Sequence, residues 1–595
     1  MDFAEVYGPL RKGGAAQEVL RTPEFDRIAA LPRRDWQTQD QTQLAEYLEK
    51  YLHVYSGPCA TPDTCEGCQM RSLRPAQIAA LRDCYEYPGA FLPLRPGAGK
   101  TAISLLNFTL LKSKRPLLIV PADLQKDTHK RKTELARHWR ILPYVEVISY
   151  QWLSHKNQSD FMDEYKPDVI FCDECDYLGN TRTVAWKRLK KYLKLYPETR
   201  IYLASGTPMG RALREITHLL LATLRDRTPV PRDLNEQIAW GLALDSKVPG
   251  DRTHPGALLS LPGAEGETEL TQARRAFRKR LLETPGVVAT AGNTPPMHLV
   301  IRSIEPEVSE TVREAILKLR ETRIAPSGLL CKHAIELYGH AKRLGQGLHY
   351  YYDPPPPFEW RMARSAWLTW AQKKLSGLRR IDQLSQLQDA ILAGDIDDGG
   401  LYKRWLEIQP TYEPEAHRKV QWVDDETSFG WAADWVAKHK NGLIWTPDVA
   451  WGELAEKKLG IPYFGTMGED KNGMSIREYR GKFAICSIAS VARGRNLQRY
   501  QHNLVMSPPS TGKAWTQLLS RTWRDGQEAA EVTCDVILTS RESYGSIIQA
   551  IRDSQLDEDG MGGSAALRYA ETHLPSVHDL ALRNDALWRE MELGV

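Results

Sequence analysis

The stretch AFLPLRPGAGKTAISLLNFTLLK (90–112) decides the reading of this chain. AFLPL (90–94) is a short apolar run of strand type, and TAISLLNFTLLK (101–112) has the apolar content and length of a helix. Between them stands Pro96-Gly97-Ala98-Gly99-Lys100-Thr101. A turn between a strand and a helix aims successive backbone N–H groups at a phosphate, and the helix N-terminus adds partial positive charge. Gly97 and Gly99, which flank Ala98, let the backbone approach closely. Lys100 has the reach for β- and γ-phosphates, and Thr101 can offer its hydroxyl to Mg²⁺. The strict Walker A pattern wants Gly where this chain has Leu94, so the match is to the relaxed form and points to nucleotide binding.

Outward from that loop, apolar strand-like runs alternate with helical ones. PLLIVP (116–121), VEVISY (145–150), DVIFCDE (168–174) and RIYLASG (200–206) follow AFLPL. The pattern returns in GLIWT (442–446), IPYFGT (461–466), KFAICSI (482–488), HNLVMS (502–507) and EVTCDVIL (531–538). Such alternation is the mark of βαβ units and parallel sheets, so the expected fold is α/β with two parallel-sheet lobes. The expected organisation is an N-terminal accessory domain (1–70), lobe 1 (71–225), a mostly helical insertion (226–435), lobe 2 (436–555) and a helical tail (556–595).

Four further motifs fit one cleft. Asp173-Glu174-Cys175-Asp176 falls at the tip of the apolar run 169–172. Asp173 is the expected Mg²⁺ holder and Glu174 the base that orients and deprotonates water. Leu73-Arg74-Pro75-Ala76-Gln77 precedes the loop, and the Gln77 amide can pair with an adenine edge. Ser205-Gly206-Thr207-Pro208 has hydroxyls that could couple the acidic tip to a bound polymer. In QLLSRTWRDGQ (517–527), Gln517, Arg521 and Arg524 fall at i, i+4 and i+7, expected on one helical face, with the two arginines as fingers for the γ-phosphate.

The order LRPAQ, PGAGKT, DECD, SGTP and QLLSRTWRDGQ resembles helicase superfamily 2, and its forms are similar to the Swi/Snf-type branch. The resemblance spans about residues 71–225 and 440–545. It implies two RecA-like lobes, ATP hydrolysis and a nucleic-acid track. Carried over by residue, Gln77 would read adenine, Gly97 to Thr101 would hold phosphates, Asp173 and Glu174 would bind metal and activate water, and Arg521 and Arg524 would be the fingers. Arg493-Gly494-Arg495-Asn496-Leu497 resembles motif V, Pro121-Ala122 motif Ia, and Ser149-Tyr150 lies near motif Ib. Pro93-Leu94-Arg95-Pro96 replaces the usual acidic residue and glycine run, and Arg493 and Arg495 stand where that branch favours small residues. The size and divergent motifs look viral or mobile-element-like. The leading expectation is an ATP-dependent DNA helicase or translocase, with replication, recombination or nuclease proteins as partners. The alternatives are an RNA helicase, an ATP-gated clamp and a motor subunit for a separate nuclease. The trailing Gly526-Gln527 tilts the choice to DNA.

Cys59, Cys65 and Cys68 cluster in a loop with Gly57, Pro58, Pro62, Asp63 and Gly67. A Cys-x2-Cys knuckle with a third Cys can hold Zn²⁺ given a fourth ligand, for which His53 and Cys84 are the candidates. An iron–sulfur cluster or three free thiols are the alternatives. Cys172 and Cys175 straddle the acids and are not read as ligands. The segment from Lys342 to Arg380 is basic and aromatic, suited either to stacking on bases or to a helical module whose rings form its own core, with Trp367 and Trp370 at i, i+3.

The 595 residues carry 79 basic and 75 acidic side chains, a net charge of +4 that neither demands nor excludes nucleic acid. Hydrophobic residues at 42% and charged ones at 26% exclude a largely disordered, collagen-like or coiled-coil chain. Nine cysteines make no extracellular disulfide framework. No apolar run approaches the ~18 residues of a membrane span, and MDFAEVYGPLRKGG (1–14) lacks a signal core. A cytoplasmic protein without membrane contact is expected.

Overall fold

The computed structural model describes residues 18–588 apart from 55–58, 60–64, 210–211, 246–251, 291–296, 329, 332–333, 376–383, 493–494, 525, 562–565, 577–578 and 581–585. The chain forms two compact units. The first takes 1–295, 511–520 and 550–569; the second takes 296–510, 521–549 and 570–595.

Among the described residues the first unit is built on a five-stranded parallel sheet. Its strands are β1 (Gly89–Leu92), β2 (Pro116–Val120), β3 (Glu146–Ser149), β4 (Val169–Asp173) and β5 (Arg200–Ala204), in the order β1-β5-β4-β2-β3. Each matches an apolar run read from the sequence. The runs are nearly continuous in apolar residues because both sheet faces are covered. Leu117, Ile119, Ile170, Cys172, Ile201 and Leu203 face one core, and Leu118, Val120, Val169, Phe171, Tyr202 and Ala204 face the other. Helices α1 (Pro75–Glu86), α2 (Lys100–Leu110) and α3 (Ala122–Leu135) pack on the second of these faces. Helices α4 (Val184–Leu195), α5 (Arg214–Leu224), α6 (Leu234–Leu244) and α7 (Glu269–Leu282) cover the first.

Two expected boundaries move. The described N-terminal residues are not a separate domain: Val19, Phe25 and Ile28 join one core, and Trp36, Leu48 and Leu52 the other. Nor does lobe 1 end near 225. Trp240, Phe277 and Leu281 are buried in its core, and Phe91 N donates to Gly286 O at 2.8 Å, so the chain around Val287 lies along the outer edge of β1. The buried carboxylate of Asp83 ties these additions together. It pairs with Arg34 and accepts from Gly286 N at 3.0 Å.

Among the described residues the second unit holds a seven-stranded parallel sheet in the order β10-β11-β9-β12-β13-β6-β14. Five of its strands are those read from the sequence: β9 (Gly442–Thr446), β10 (Tyr463–Phe464), β11 (Phe483–Ser487), β12 (His502–Val505) and β13 (Glu531–Ile537). Two are not. β6 (His298–Ile304) comes from the stretch expected to be a helical insertion and pairs along its whole length with β13. β14 (Glu571–His573) comes from the expected helical tail and adds to β6. The middle stretch also contains an antiparallel pair, β7 (Leu348–Tyr352) with β8 (Arg418–Trp422), and a small helical module containing α8 (Phe358–Leu375) and α9 (Leu401–Ile408). In that module Trp360, Trp367, Tyr402, Trp405 and Tyr412 bury one another. The rings of Trp360 and Trp367 are therefore core, not a base-stacking surface. Helix α10 (Gly512–Leu519) belongs to the first unit, and α11 (Arg541–Met561) passes from the second unit into the first at residue 550. Among the described residues no helix is long and apolar enough to cross a membrane.

Candidate active site

The C-terminal ends of β1, β4 and β5 carry the phosphate loop, the acidic box and the SGTP turn. In open parallel sheets this is the end at which ligands bind. Gly97 and Gly99 have φ of 87° and 85°, a left-handed backbone that side chains disfavour, and Gly99 caps α2. A Cβ on Gly99 would stand 2.2 Å from Gln77 Nε2. Gln77 is 3% exposed. Its Oε1 accepts from Arg74 N at 2.8 Å, and its Nε2 donates to Ala98 O at 3.2 Å. The residue expected to read adenine thus caps α1 and holds the phosphate loop. Arg74 adds a bond from Nη1 to Gly97 O at 3.2 Å.

Lys100 is 8% exposed. Its Nζ lies 3.3 Å from Leu94 O and 3.4 Å from Glu174 Oε1. Leu94, at the position where the strict pattern has Gly, supplies a carbonyl to the lysine. Thr101 Oγ1 is 3.5 Å from Asp173 Oδ2, so both oxygens can serve one hydrated cation. Burial pushes the Asp173 carboxyl up to about 6, with the neighbouring Glu174 charge adding to the rise and Lys100 opposing it. Two acids facing one lysine suit a divalent cation. Tyr150, fully buried, donates to Asp173 O at 2.8 Å and fixes the strand tip from below. Ser149 caps the short helix that Tyr150 begins, and Pro121 caps α3, so these two motif positions act as helix starts.

Glu174 has φ of 48° at a non-glycine residue, which costs on the order of 1 kcal/mol and points to a constrained site. Ser205, 1% exposed, lies 3.2 Å from Glu174 Oε2 and 3.0 Å from Asp176 Oδ1. Gly206 lets this turn pass over the phosphate loop, since a Cβ there would meet Pro96 Cδ at 2.8 Å. Gln517 Nε2 is 3.5 Å from Thr207 Oγ1, and Lys513 pairs with Asp176. The structure thus brings Gln517 to the SGTP turn.

The arginines depart from expectation. Helix α10 ends at Leu519, so Arg521 and Arg524 do not continue the face of Gln517. They lie in a turn of the second unit. The bonds that hold that turn include Leu497 N to Arg521 O at 3.0 Å, Asn503 Nδ2 to Thr522 Oγ1 at 3.0 Å, and Gln527 Nε2 to Thr522 O at 3.1 Å. Arg521 is 4% exposed and donates to Arg495 O at 3.1 Å, while Arg524 is half-buried. Arg495 is buried and donates to the carbonyls of Ser490 and Met467; Arg493 and Gly494 lie outside the described residues.

Cys59, Cys65 and Cys68 meet a fourth donor, His138, all four ligand atoms lying within 4.8 Å of one another. His138 Nε2 is 3.6 Å from Cys65 Sγ and 3.3 Å from Cys68 Sγ. Burial and the adjacent sulfurs push the Cys68 thiol up to about 11. A divalent cation is what would relieve that crowding of thiols. Gly67 permits the approach, since a Cβ would stand 2.2 Å from His138 Cδ2. Neither expected fourth ligand takes part. His53 stacks edge-on against Trp139 at 5.1 Å, and Cys84 is fully buried within α1. Gly57, Pro58, Pro62 and Asp63 lie outside the described residues.

Three participants had no signal in the sequence. His138 follows α3, 70 residues beyond Cys68. Thr290 Oγ1 accepts from Arg95 N at 2.7 Å and braces the entry to the phosphate loop. Lys513 is an isolated lysine at the start of a helix. No protein-family model matches this chain, and no curated protein matches its sequence.

Proposed function

We propose that this protein is a nucleic-acid-dependent ATPase of the helicase superfamily 2 type, with two RecA-like lobes, that translocates on or unwinds DNA. The reading is carried by one observation: Lys100, Thr101, Asp173 and Glu174 converge within 3.5 Å contacts at the ends of two parallel strands. Gly97 to Thr101 cradle the phosphates, and Gln77 keeps that cradle in shape. Thr101 and Asp173 would hold Mg²⁺, which neutralises charge on the β- and γ-phosphate oxygens. Glu174 takes a proton from water as the water oxygen bonds to the γ-phosphorus. The bridging P–O bond breaks and ADP leaves with its electron pair. Arg521 and Arg524 stabilise charge on the transferring group. Cys59, Cys65, Cys68 and His138 form a donor set suited to Zn²⁺, which would clamp the three cysteines to the chain just after α3.

The test is ATP hydrolysis by the full chain alone and with single-stranded DNA, duplex DNA or RNA, followed by unwinding of forks with 3′ and 5′ tails. DNA should stimulate turnover. Lys100→Ala should abolish it, and Glu174→Gln should bind ATP yet hydrolyse it slowly. Stimulation by RNA alone would make the protein an RNA helicase. A wild type no faster than Lys100→Ala would end the ATPase reading.

A further inference from the structure

Helix α10 presents Lys513 and Gln517, four residues apart and so on one face, to the two ends of one hydrogen-bonded path. At one end the Lys513 ammonium pairs with Asp176 Oδ2. At the other, Gln517 Nε2 is 3.5 Å from Thr207 Oγ1. Between them Thr207 N donates to Ser205 Oγ at 3.2 Å, and the Ser205 hydroxyl faces both Glu174 and Asp176.

A serine hydroxyl carries one proton. Ser205 therefore serves either Glu174 Oε2 or Asp176 Oδ1, and the stronger acceptor wins. An unneutralised carboxylate in a buried site is a strong acceptor. Asp176 has a side chain 4% exposed, and the Lys513 ammonium on its other oxygen draws off its charge; Glu174 has Lys100 Nζ at 3.4 Å from Oε1, an ammonium that turns to the phosphates once nucleotide is bound and leaves Glu174 the stronger acceptor. We propose that Lys513 is a positioning residue: by occupying Asp176 it leaves the Ser205 proton to Glu174, and so fixes the carboxylate that activates water. Gln517 holds the turn that carries Ser205 from the same helix face. Without the lysine, Ser205 turns to Asp176 and Glu174 loses the bond that orients it. This inference rests on the ATPase reading given above.

The experiment measures kcat, KM, nucleotide affinity by fluorescent-analogue titration and Tm in wild type, Lys513→Met, Lys513→Arg and the double variant Asp176→Asn/Lys513→Met. Lys513→Met should lower kcat by about tenfold or more, the size of a lost charged hydrogen bond. Nucleotide affinity should stay within about threefold, because no phosphate contact is removed. Lys513→Arg should restore most of the rate. Asn at 176 no longer competes strongly for the Ser205 proton, so the double variant should turn over faster than Lys513→Met alone. A Lys513→Met enzyme with wild-type kcat, or a double variant no better than the single one, overturns the positioning role while the ATPase stands. A fall in Tm across the lysine variants with parallel loss of affinity makes the lysine a packing residue and also overturns it. A wild type that hydrolyses no ATP overturns both readings.

Discussion

Gln77 and Ala98 are joined by a buried hydrogen bond of 3.2 Å, from the carboxamide nitrogen of one to the carbonyl of the other. The same carboxamide caps α1 through Arg74 N, so one side chain couples a helix start to the phosphate loop. A residue that shapes the loop acts on every nucleotide alike, whereas one that reads the base discriminates. Gln77→Ala should weaken ATP and GTP binding together, by about five- to tenfold, the worth of one or two such bonds. Parallel titrations with both nucleotides check this. A loss confined to ATP would return Gln77 to base recognition.

Arg521 and Arg524 should separate in their effects. Arg521 is buried and bonded to Arg495 O, so Arg521→Ala should lower Tm as well as activity. Arg524 is half-buried, and Arg524→Ala should keep the fold and ATP affinity while losing about 10³-fold in DNA-stimulated turnover, as expected for an arginine finger. Thermal melts beside hydrolysis rates with saturating DNA decide it. Normal stimulated turnover in the Arg524 variant would remove it from the reaction.

Metal content should follow His138 and not His53. Purified protein should carry about one Zn²⁺ per chain, lost in His138→Ala and kept in His53→Ala. Elemental analysis with a chelator-dependent melt reads the difference. Equal zinc in both variants would remove His138 from the ligand set.

Asp557, on α11, is buried, and burial above all pushes its carboxyl up to about 7, with Lys513 opposing. An acid whose folded value exceeds its unfolded value near 4 destabilises the fold as pH rises. Below about pH 4 it is protonated in both states and costs nothing. Between about 4 and 7 the unfolded chain ionises first and stability falls. Above 7 the full cost is present. Asp557→Asn should therefore raise Tm by about 2 °C or more at pH 8 and by less at pH 5. An equal shift at both pH values would mean the acid is ionised in the fold.

The ten expected strands were legible because each is an apolar run buried on both sheet faces and bounded by turn residues. The turn from strand to helix at 96–101 was legible because an apolar run, two glycines and a helical run follow one another within a few residues. β6 was not. Its run, His298–Ile304, carries His298 and Arg302 on exposed positions, and it enters the sheet only by pairing with β13 more than 200 residues later. Helical spacing likewise put Arg521 and Arg524 on the face of Gln517, but bonds from Leu497, Asn503 and Gln527 turn the chain at Ser520.

The sequence by itself determined the local layout of this protein: a strand tip with acids, a glycine-containing turn between a strand and a helix, and a cysteine knuckle with three donors. Each depends on neighbours within a few residues, where backbone geometry dictates what can meet. Only the tertiary structure decided that His138 completes the knuckle, that Thr290 braces the phosphate loop, that Gln77 spends its amide on Ala98, and that Lys513 reaches Asp176. Those partners are far apart in the chain, and sheet order and helix packing bring them within hydrogen-bond range.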